Sequence, residues 1–369
     1  MSYQKRIEKL FAPADIVVNG NRPWDITVHN NDLFRRLLAH GSLGLGESYM
    51  DGWWDCEQLD QLVCRLFGAG IDRQVRTWRM ALAAIMARLT NRQSAARSFQ
   101  VGTLHYDIGN DFYERMLDCR MIYSCGYWHK ADTLDAAQER KLDLVCRKLR
   151  LEPGQRLLDI GCGWGGMARF AAEKYGVEVV GVTVSREQVR VAQESCSGLP
   201  VEIRLEDYRG LNEPFDRIVS IGMFEHVGYK NYRTFMEVVD RCLKADGLFL
   251  LHTIGGDTSV TTSDPWLERY IFPNGMLPSA VQIVSAIERC FILEDWQNFG
   301  TDYDRTLMEW WRRFEAAWPD ISIRYGERFH RMWRYYLLAC AGAFRSRVNH
   351  LWQIVLAKEG TAGCYRPER

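Results

Sequence analysis

Two hydrophobic periods share this chain. From about residue 101 onward, short apolar runs recur at Arg156–Ile160, Glu178–Val184, Val201–Glu206, Phe215–Ile221 and Gly247–Thr253. Between them, Met167–Lys174, Arg186–Cys196 and Asn231–Leu243 carry apolar residues at helical spacing. Strands alternating with helices predict a mostly parallel sheet, covered on both faces and wound by right-handed crossovers. The expected fold class is therefore α/β, a Rossmann-like, doubly wound domain with a smaller, mainly helical amino-terminal domain. A last strand is expected at Phe291–Phe299, followed by a helical tail. There Leu307, Trp310, Trp311, Phe314 and Trp318 fall on one stripe, which reads as core or as the wall of a lipid pocket.

The first 85 residues read as one unit. Leu33, Phe34, Leu37 and Leu38 have helical spacing, Gly41–Tyr49 reads as turn-rich, and Leu59–Phe67 returns to the helical period. This unit is read as a lipid-binding or docking module, or as a helical domain that only packs on its neighbour. Arg73 to Arg97 then holds six arginines and no acid, interleaved with Trp78, Met80, Leu82, Ile85, Met86 and Leu89. Such a basic amphipathic stretch suits an anionic lipid surface; a solvated linker helix is the plainer alternative. The expected division is residues 1–85, a basic linker over 86–100, and an α/β domain over 101–369.

Composition narrows the partners. The 47 basic and 47 acidic side chains cancel, so no global field draws the chain to nucleic acid. No segment reaches the roughly 20 apolar residues that span a bilayer. Met1–Arg6 has no apolar run of the secretory kind, so a cytoplasmic protein is expected. Eleven cysteines without CxxC spacing read as reduced thiols, neither a disulfide framework nor a zinc site, and no metal is expected. Thirteen tryptophans suit apolar pockets and membrane interfaces, although most are expected in the core.

The candidate chemistry starts at Leu158-Asp159-Ile160-Gly161-Cys162-Gly163-Trp164-Gly165-Gly166, where an apolar strand meets a glycine-rich turn and a helix. Glycines there let backbone approach a ligand, and the helix start offers unpaired N–H groups. A dinucleotide site would carry an acid at the end of the second strand, but that place reads Gly181-Val182-Thr183-Val184-Ser185. No lysine follows the last glycine, so the turn is not a P-loop. Glu206-Asp207-Tyr208 ends the third strand, offering an acid for an adenine amino group and an aromatic ring to stack on it. S-adenosylmethionine fits better than NAD; the alternative is that Asp207 only caps a turn.

Several further segments carry a resemblance: Gly41–Trp54, His105–Asp111, Tyr123-Ser124-Cys125, Gly222–Gly228, Leu251–Gly255, Asn298-Phe299-Gly300, Tyr303 and Ala339–Arg345. With the glycine loop, they resemble the cyclopropane-fatty-acyl-phospholipid synthase family, relatives of the mycolic acid cyclopropane synthases. The resemblance implies a class I S-adenosylmethionine-dependent methyltransferase fold. It also implies methylene transfer to the cis double bond of an acyl chain in a membrane phospholipid. The cofactor residues it implies are Tyr123, Ser124, Asp159, Gly161, Gly163, Thr183, Ser185, Gln188, Asp207 and Tyr208. A bicarbonate ion is implied as general base, held by Cys125, Glu225, His252, the backbone of Ile254, and Tyr303. A homodimer, peripherally bound to the inner face of the cell membrane, is implied as well. Cys340 lies in a family motif associated with the active site, but alkene methylation needs no covalent thiol, and a buried structural cysteine is the plainer role.

The chemistry gives these residues work. An in-line sulfonium methyl removes an orientational barrier. A carbocation on the acyl chain then requires a dry pocket, where aromatic faces stabilise charge. Ring closure needs a base, and Glu225 beside an anion must either accept its hydroxyl hydrogen or be protonated; His252 and Tyr303 donate. A Glu225–His226 acid–base pair is an alternative. Rival products are a methyl-branched or hydroxylated lipid or a methylated amine. A noncatalytic lipid-binding module and an NAD oxidoreductase are the other classes. If the arginine-rich segment meets the bilayer, replacing Arg76, Arg79 and Arg88 by Glu weakens sedimentation with anionic vesicles; unchanged binding at low salt overturns that role.

Overall fold

The computed structural model describes residues 1–71, 109–361 and 363–369. The expected linker over 86–100, the Arg73–Arg97 segment and His105–Asp107 lie outside the described residues. The described residues form two compact units, one of 1–71, 261–273 and 303–349, the other of 109–260, 274–302, 350–361 and 363–369. This cuts across the expected 101–369 domain, because two later stretches cluster with the amino-terminal residues.

The first unit is helical. Its helices are Tyr3–Phe11, Asp32–His40, Ser42–Met50, Leu59–Gly68, Pro265–Tyr270, most of Thr301–Tyr325, and Glu327–Arg345. A two-residue pairing joins β1 (Thr27–Val28) to β2 (Trp54–Asp55). Gly41–Tyr49, read as turn-rich, is a helix from Ser42 onward. Its glycines serve close packing: a Cβ on Gly44 would lie 2.4 Å from the Arg36 carbonyl oxygen, and one on Gly46 would lie 2.5 Å from the Trp266 ring. Trp54 is buried and donates to the Leu45 carbonyl at 3.0 Å, whereas Trp53 sits beneath the Arg36 guanidinium. Of the tryptophan stripe, Leu307, Trp310 and Phe314 are buried, so its centre is core.

Helix Glu327–Arg345 explains the unit's discontinuity. Arg331 spans Tyr49, Trp54 and Asp55, donating to the Trp54 carbonyl at 2.9 Å and the Asp55 carboxylate at 2.7 Å, with its guanidinium 4.2 Å over the Tyr49 ring. Gly342 lies against backbone, where a Cβ would stand 2.4 Å from the Asp60 carbonyl oxygen. Arg345 then joins the carboxylates of Asp60 and Asp304.

The second unit carries a seven-stranded sheet in the order β5-β4-β3-β6-β7-β9-β8. The strands are β3 (Arg156–Ile160), β4 (Glu178–Thr183), β5 (Val201–Leu205), β6 (Phe215–Ile221), β7 (Leu243–Gly256), β8 (Phe291–Asn298) and β9 (Asn349–Lys358). β3 to β7 are parallel, and β8 and β9 pair antiparallel. Leu158, Ile160, Val180 and Val182 face one core cluster, while Leu157, Val179 and Val219 face another. Both faces are thus dry, at roughly 1.5–3 kcal/mol per fully buried aliphatic side chain. The expected strands and the three interleaved helices are present to within a few residues, except that β7 begins earlier, at Leu243. The expected last strand is not last. β9 follows it and inserts between β7 and β8, its residues Leu351–Ala357 all buried, where a helical tail was expected.

Gly342→Ala is expected to lower stability by about 1–3 kcal/mol, because the nearest atom, the Asp60 carbonyl oxygen, is backbone and yields little. Gly68→Ala, which faces open space, should change it by less than about 1 kcal/mol, and urea midpoints compare the two.

Candidate active site

β3 is where the winding reverses: β4 and β5 lie on one side, β6 and β7 on the other. Ligands in open α/β sheets bind beyond the carboxyl ends of strands at such a point. The glycine loop leaves β3 here with Gly161, Gly163 and Gly165 at φ of 85°, 55° and 84°. A Cβ on Gly161 would meet Met223 at 2.7 Å, so that glycine is required by packing as well as by φ. A Cβ on Gly163 would meet nothing within 4 Å, which leaves backbone open to a ligand. Helix Gly166–Tyr175 starts directly after.

Beneath the loop, Asp159 is 2% exposed and its Oδ2 has no hydrogen-bond partner among the described residues. Burial pushes its carboxyl up to about 7, against the pull of Lys141. At the end of β4, Thr183 Oγ1 donates to Gln188 Oε1 at 2.7 Å, and Ser185 caps helix Arg186–Ser195 by accepting from the Gln188 N–H. These three form one buried cluster. The third-strand pair is arranged differently. Asp207 caps the turn Tyr208–Gly210 and pairs with Arg209 at 2.8 Å. The Tyr208 ring is buried in the core beside Phe235, at 5.2 Å between centroids.

Tyr123, Ser124 and Cys125 lie on a strap held to helix Leu134–Lys148. Gln138 Nε2 donates to the Ser124 carbonyl at 2.7 Å, Lys141 Nζ donates to Ser124 Oγ at 3.0 Å, and the Tyr127 N–H donates to the Ala137 carbonyl at 2.9 Å. Cys125 is buried, and its thiol donates to the Gly126 carbonyl. Tyr113 sits between the Tyr123 and Trp164 rings, 5.4 and 5.0 Å away, and so forms an aromatic wall beside the glycine loop.

Glu225 lies in the turn Phe224–His226 just after β6, and His252 lies in β7 itself, paired in register with Ile221. Glu225 Oε1 accepts the Ile254 N–H at 2.7 Å, so that amide is spent on the carboxylate. Glu225 Oε2 and His252 Nε2 are buried without a hydrogen-bond partner among the described residues. Burial pushes Glu225 up to about 7, and burial also holds His252 well below its ordinary range, so the imidazole is neutral. His252 Nδ1 lies 3.3 Å from the Gln353 amide nitrogen on β9. With that amide donating, Nε2 carries the ring proton.

Tyr303 and Cys340 belong to the first unit. Tyr303 stacks on Phe344 at 4.5 Å, with the planes 5° apart. Burial pushes the Cys340 thiol up to about 12, which keeps it protonated and unreactive. None of the eleven cysteines is in a disulfide. Gln138, Lys141, Tyr113 and Gln353 are site residues the sequence reading did not find. Gln138 and Lys141 had a signal: polar residues on the apolar stripe of a helix.

The sequence model of the mycolic acid cyclopropane synthetase family matches residues 93–354. The chain belongs to that family. It is 56% identical to the cyclopropane-fatty-acyl-phospholipid synthase of Escherichia coli K12, over 95% of this chain and 92% of the relative. It is 39% identical to a probable fatty acid methyltransferase of Pseudomonas putida, over 69% of this chain and 68% of the relative. Among solved structures, the cyclopropane synthase MmaA2 from Mycobacterium tuberculosis is 35% identical with a TM-score of 0.66, covering 70% of this chain and 98% of that one. The fold is that of the class I S-adenosylmethionine-dependent methyltransferases, as the sequence predicted.

Glu225 supplies a test with a definite sign. Its folded pKa of about 7 stands above the ordinary 4.5, so folding favours the protonated form. The stability this contributes is complete below about pH 4.5 and is lost as pH rises through about 7, up to roughly 3 kcal/mol. Glu225→Gln is therefore expected to melt above the parent protein at about pH 8, with the gap closing by about pH 5, as read by thermal scans across pH.

Proposed function

We propose that this protein transfers a methylene unit from S-adenosylmethionine to the cis double bond of an unsaturated acyl chain in a membrane phospholipid, giving a cyclopropane. The observation that carries this reading is the pair of buried polar atoms, Glu225 Oε2 and His252 Nε2, that no described protein group serves. Methyl transfer that releases no proton has no use for such a pair. Ring closure does, because a base must be held where it takes a proton from the added methyl. When bound, S-adenosylmethionine supplies an electrophilic methyl and bicarbonate supplies that base.

The chain's own residues bind, orient and exclude water. Gly161 and Gly163 bring backbone to the donor, and Asp159 Oδ2 offers a charge to the donor's amino group. Thr183, Ser185 and Gln188 line the end of β4 for its ribose. Asp207 and Tyr208 stand for the adenine end, with Arg209 already on the Asp207 carboxylate. Glu225, kept near its titration point, accepts a hydroxyl hydrogen from the ion, and neutral His252 donates to an ion oxygen through Nε2. Cys125 and Tyr303 complete the set in this reading, and Cys340 remains structural. The site's walls of Tyr113, Tyr123 and Trp164 keep a cation on the acyl chain from water and face it with π density.

The acyl substrate resides in a bilayer, so in this reading the protein works as a peripheral enzyme on the inner membrane face; the family resemblance implies a homodimer. Among the described residues no helix is long and apolar enough to cross a membrane. A methyl-branched product is the second reading, favoured only if the Glu225–His252 pair fails to hold a base.

Purified protein, unsaturated phospholipid vesicles and labelled S-adenosylmethionine decide between them. Mass spectrometry is expected to show a lipid heavier by one CH2 with its ring-or-double-bond count unchanged. Depleting bicarbonate should slow its formation, and a branched alkene of the same mass, which unlike the ring consumes hydrogen on catalytic hydrogenation, would refute ring closure.

A further inference from the structure

β9 carries one strongly polar side chain into the core. Gln353 is 0% exposed. Val355 and Ala357, which share its face of the strand, belong to one core cluster with Leu142, Val145 and Cys146 of helix Leu134–Lys148. The backbone around Gln353 is held from two sides. β8 pairs with it in register, Gln297 opposite Gln353, and on β7 Gly255 leaves no room for a Cβ against the Trp352 ring. The amide so placed has one recorded partner. Gln353 Nε2 lies 3.3 Å from His252 Nδ1, whereas Gln353 Oε1 is buried with no hydrogen-bond partner among the described residues. Methionine would fill much the same space without leaving a buried carbonyl unserved, so packing does not account for a glutamine here. The contact with His252 does.

An amide nitrogen donates and does not accept. Facing it, Nδ1 is the ring's acceptor, and the single proton of the uncharged imidazole then sits on Nε2. Nε2 is the buried ring atom left without a partner among the described residues. The other unserved atom of the pair, Glu225 Oε2, belongs to the same end of the sheet. The Gly222 N–H, at the start of the turn that carries Glu225, donates to the His252 carbonyl at 2.9 Å, and Ile254, just beyond His252, donates its N–H to Glu225 Oε1 at 2.7 Å. Carboxyl and imidazole are thus tied to the same short stretch of β7, with Gln353 behind the imidazole on β9.

We propose that Gln353 is a positioning residue for His252: by donating to Nδ1 it fixes the ring's tautomer and rotation, so that Nε2–H is presented to the oxygen anion that serves as base. This rests on reading the Glu225–His252 pair as the place where that base is held. In this role Gln353 acts through the imidazole alone. Without its amide, nothing engages Nδ1, the ring is free to turn about its bond to Cβ, and its proton can exchange between the two nitrogens. The anion is then held less well and the proton-removal step slows, while the glycine loop and its hold on the methyl donor are left as they were.

The test compares the full-length parent chain with Gln353→Met and Gln353→Leu. Histidine labelled at its ring nitrogens reports the tautomer by NMR, the His252 signals being those lost in His252→Gln. In the parent, His252 is expected to carry its proton on Nε2 and to show a hydrogen-bonded acceptor at Nδ1, and added sodium bicarbonate should move the Nε2–H signal. In both variants the Nδ1 signal should move to that of an acceptor without a hydrogen bond. The bicarbonate concentration that gives half the shift should rise about tenfold, and kcat on unsaturated phospholipid vesicles should fall about tenfold, with the KM for S-adenosylmethionine within about threefold of the parent value. A parent ring protonated on Nδ1, variants whose spectra and bicarbonate response equal the parent's, or a kcat loss without any change at the ring overturns the role. So does a rise in donor KM as large as the loss in kcat, which marks a general disturbance of the site. If Gln353→Met does not fold, Gln353→Leu is read in the same way, and the parent spectrum tests the tautomer with no substitution at all. A parent Nε2–H that ignores bicarbonate would instead sink the base-holding reading on which this one rests.

Discussion

A buried polar atom without a partner is the constraint around which the second unit is organised. Asp159 Oδ2, Glu225 Oε2 and His252 Nε2 are each buried without a hydrogen-bond partner among the described residues. Each such atom costs on the order of 1–3 kcal/mol. A fold tolerates that cost only where the surrounding structure is stiff enough to forbid relaxation. Here the stiffness comes from a parallel sheet whose two faces are both dry, and from locked strand ends: the Gly222 N–H donates to the His252 carbonyl, and the Ile254 N–H to the Glu225 carboxylate. The sheet's core cannot be separated from its chemistry, because the same burial that stabilises β3, β6 and β7 raises both acids and holds the imidazole neutral.

Protonation follows from that burial more than from local ion pairing. Desolvation is the largest influence on Asp159, Glu225, His252 and Lys141 alike. It drives acids and bases towards neutrality from opposite sides, so that both acids and the lysine change charge near neutral pH. Such groups respond strongly to whatever charged molecule arrives, which is useful for a reaction that brings in a sulfonium and must later dispose of a proton.

Much of this was legible in the sequence, and the failures have physical causes. The alternation of strands and helices over 156–253 is a two-period pattern that no other arrangement satisfies, and the glycine loop's position after β3 followed from it. β9 was missed because Leu351–Ala357 is apolar at every position but Gln353, and such a run has no period to read. Only its neighbours β7 and β8 make it a strand. Gly44 and Gly46 were read as turn residues because glycine usually marks a turn; here each is a place where a backbone carbonyl or a tryptophan ring comes too close for a Cβ. The Ala339–Arg345 motif was read towards the site, yet Gly342 and Arg345 pin helix Glu327–Arg345 onto Asp60 and Asp304 within the first unit. Motif strength reports constraint, and close packing constrains as strictly as chemistry does.

Gln353 shows how far a sequence can conceal a functional contact. It is the single strongly polar side chain within Leu351–Ala357, and in a strand not recognised as a strand it had no face to be assigned to. Once β9 lies beside β7, its amide comes 3.3 Å from His252 Nδ1. A neutral imidazole offers one donor and one acceptor, so whichever nitrogen the amide engages sets the other. With the amide donating to Nδ1, Nε2 must point its hydrogen into the site, and His252 can hold an oxygen anion while remaining uncharged. Had the neighbour been a carboxylate, the ring would have been drawn towards its cationic form. An amide fixes direction without contributing charge, and in a site this dry that difference decides what the histidine can do.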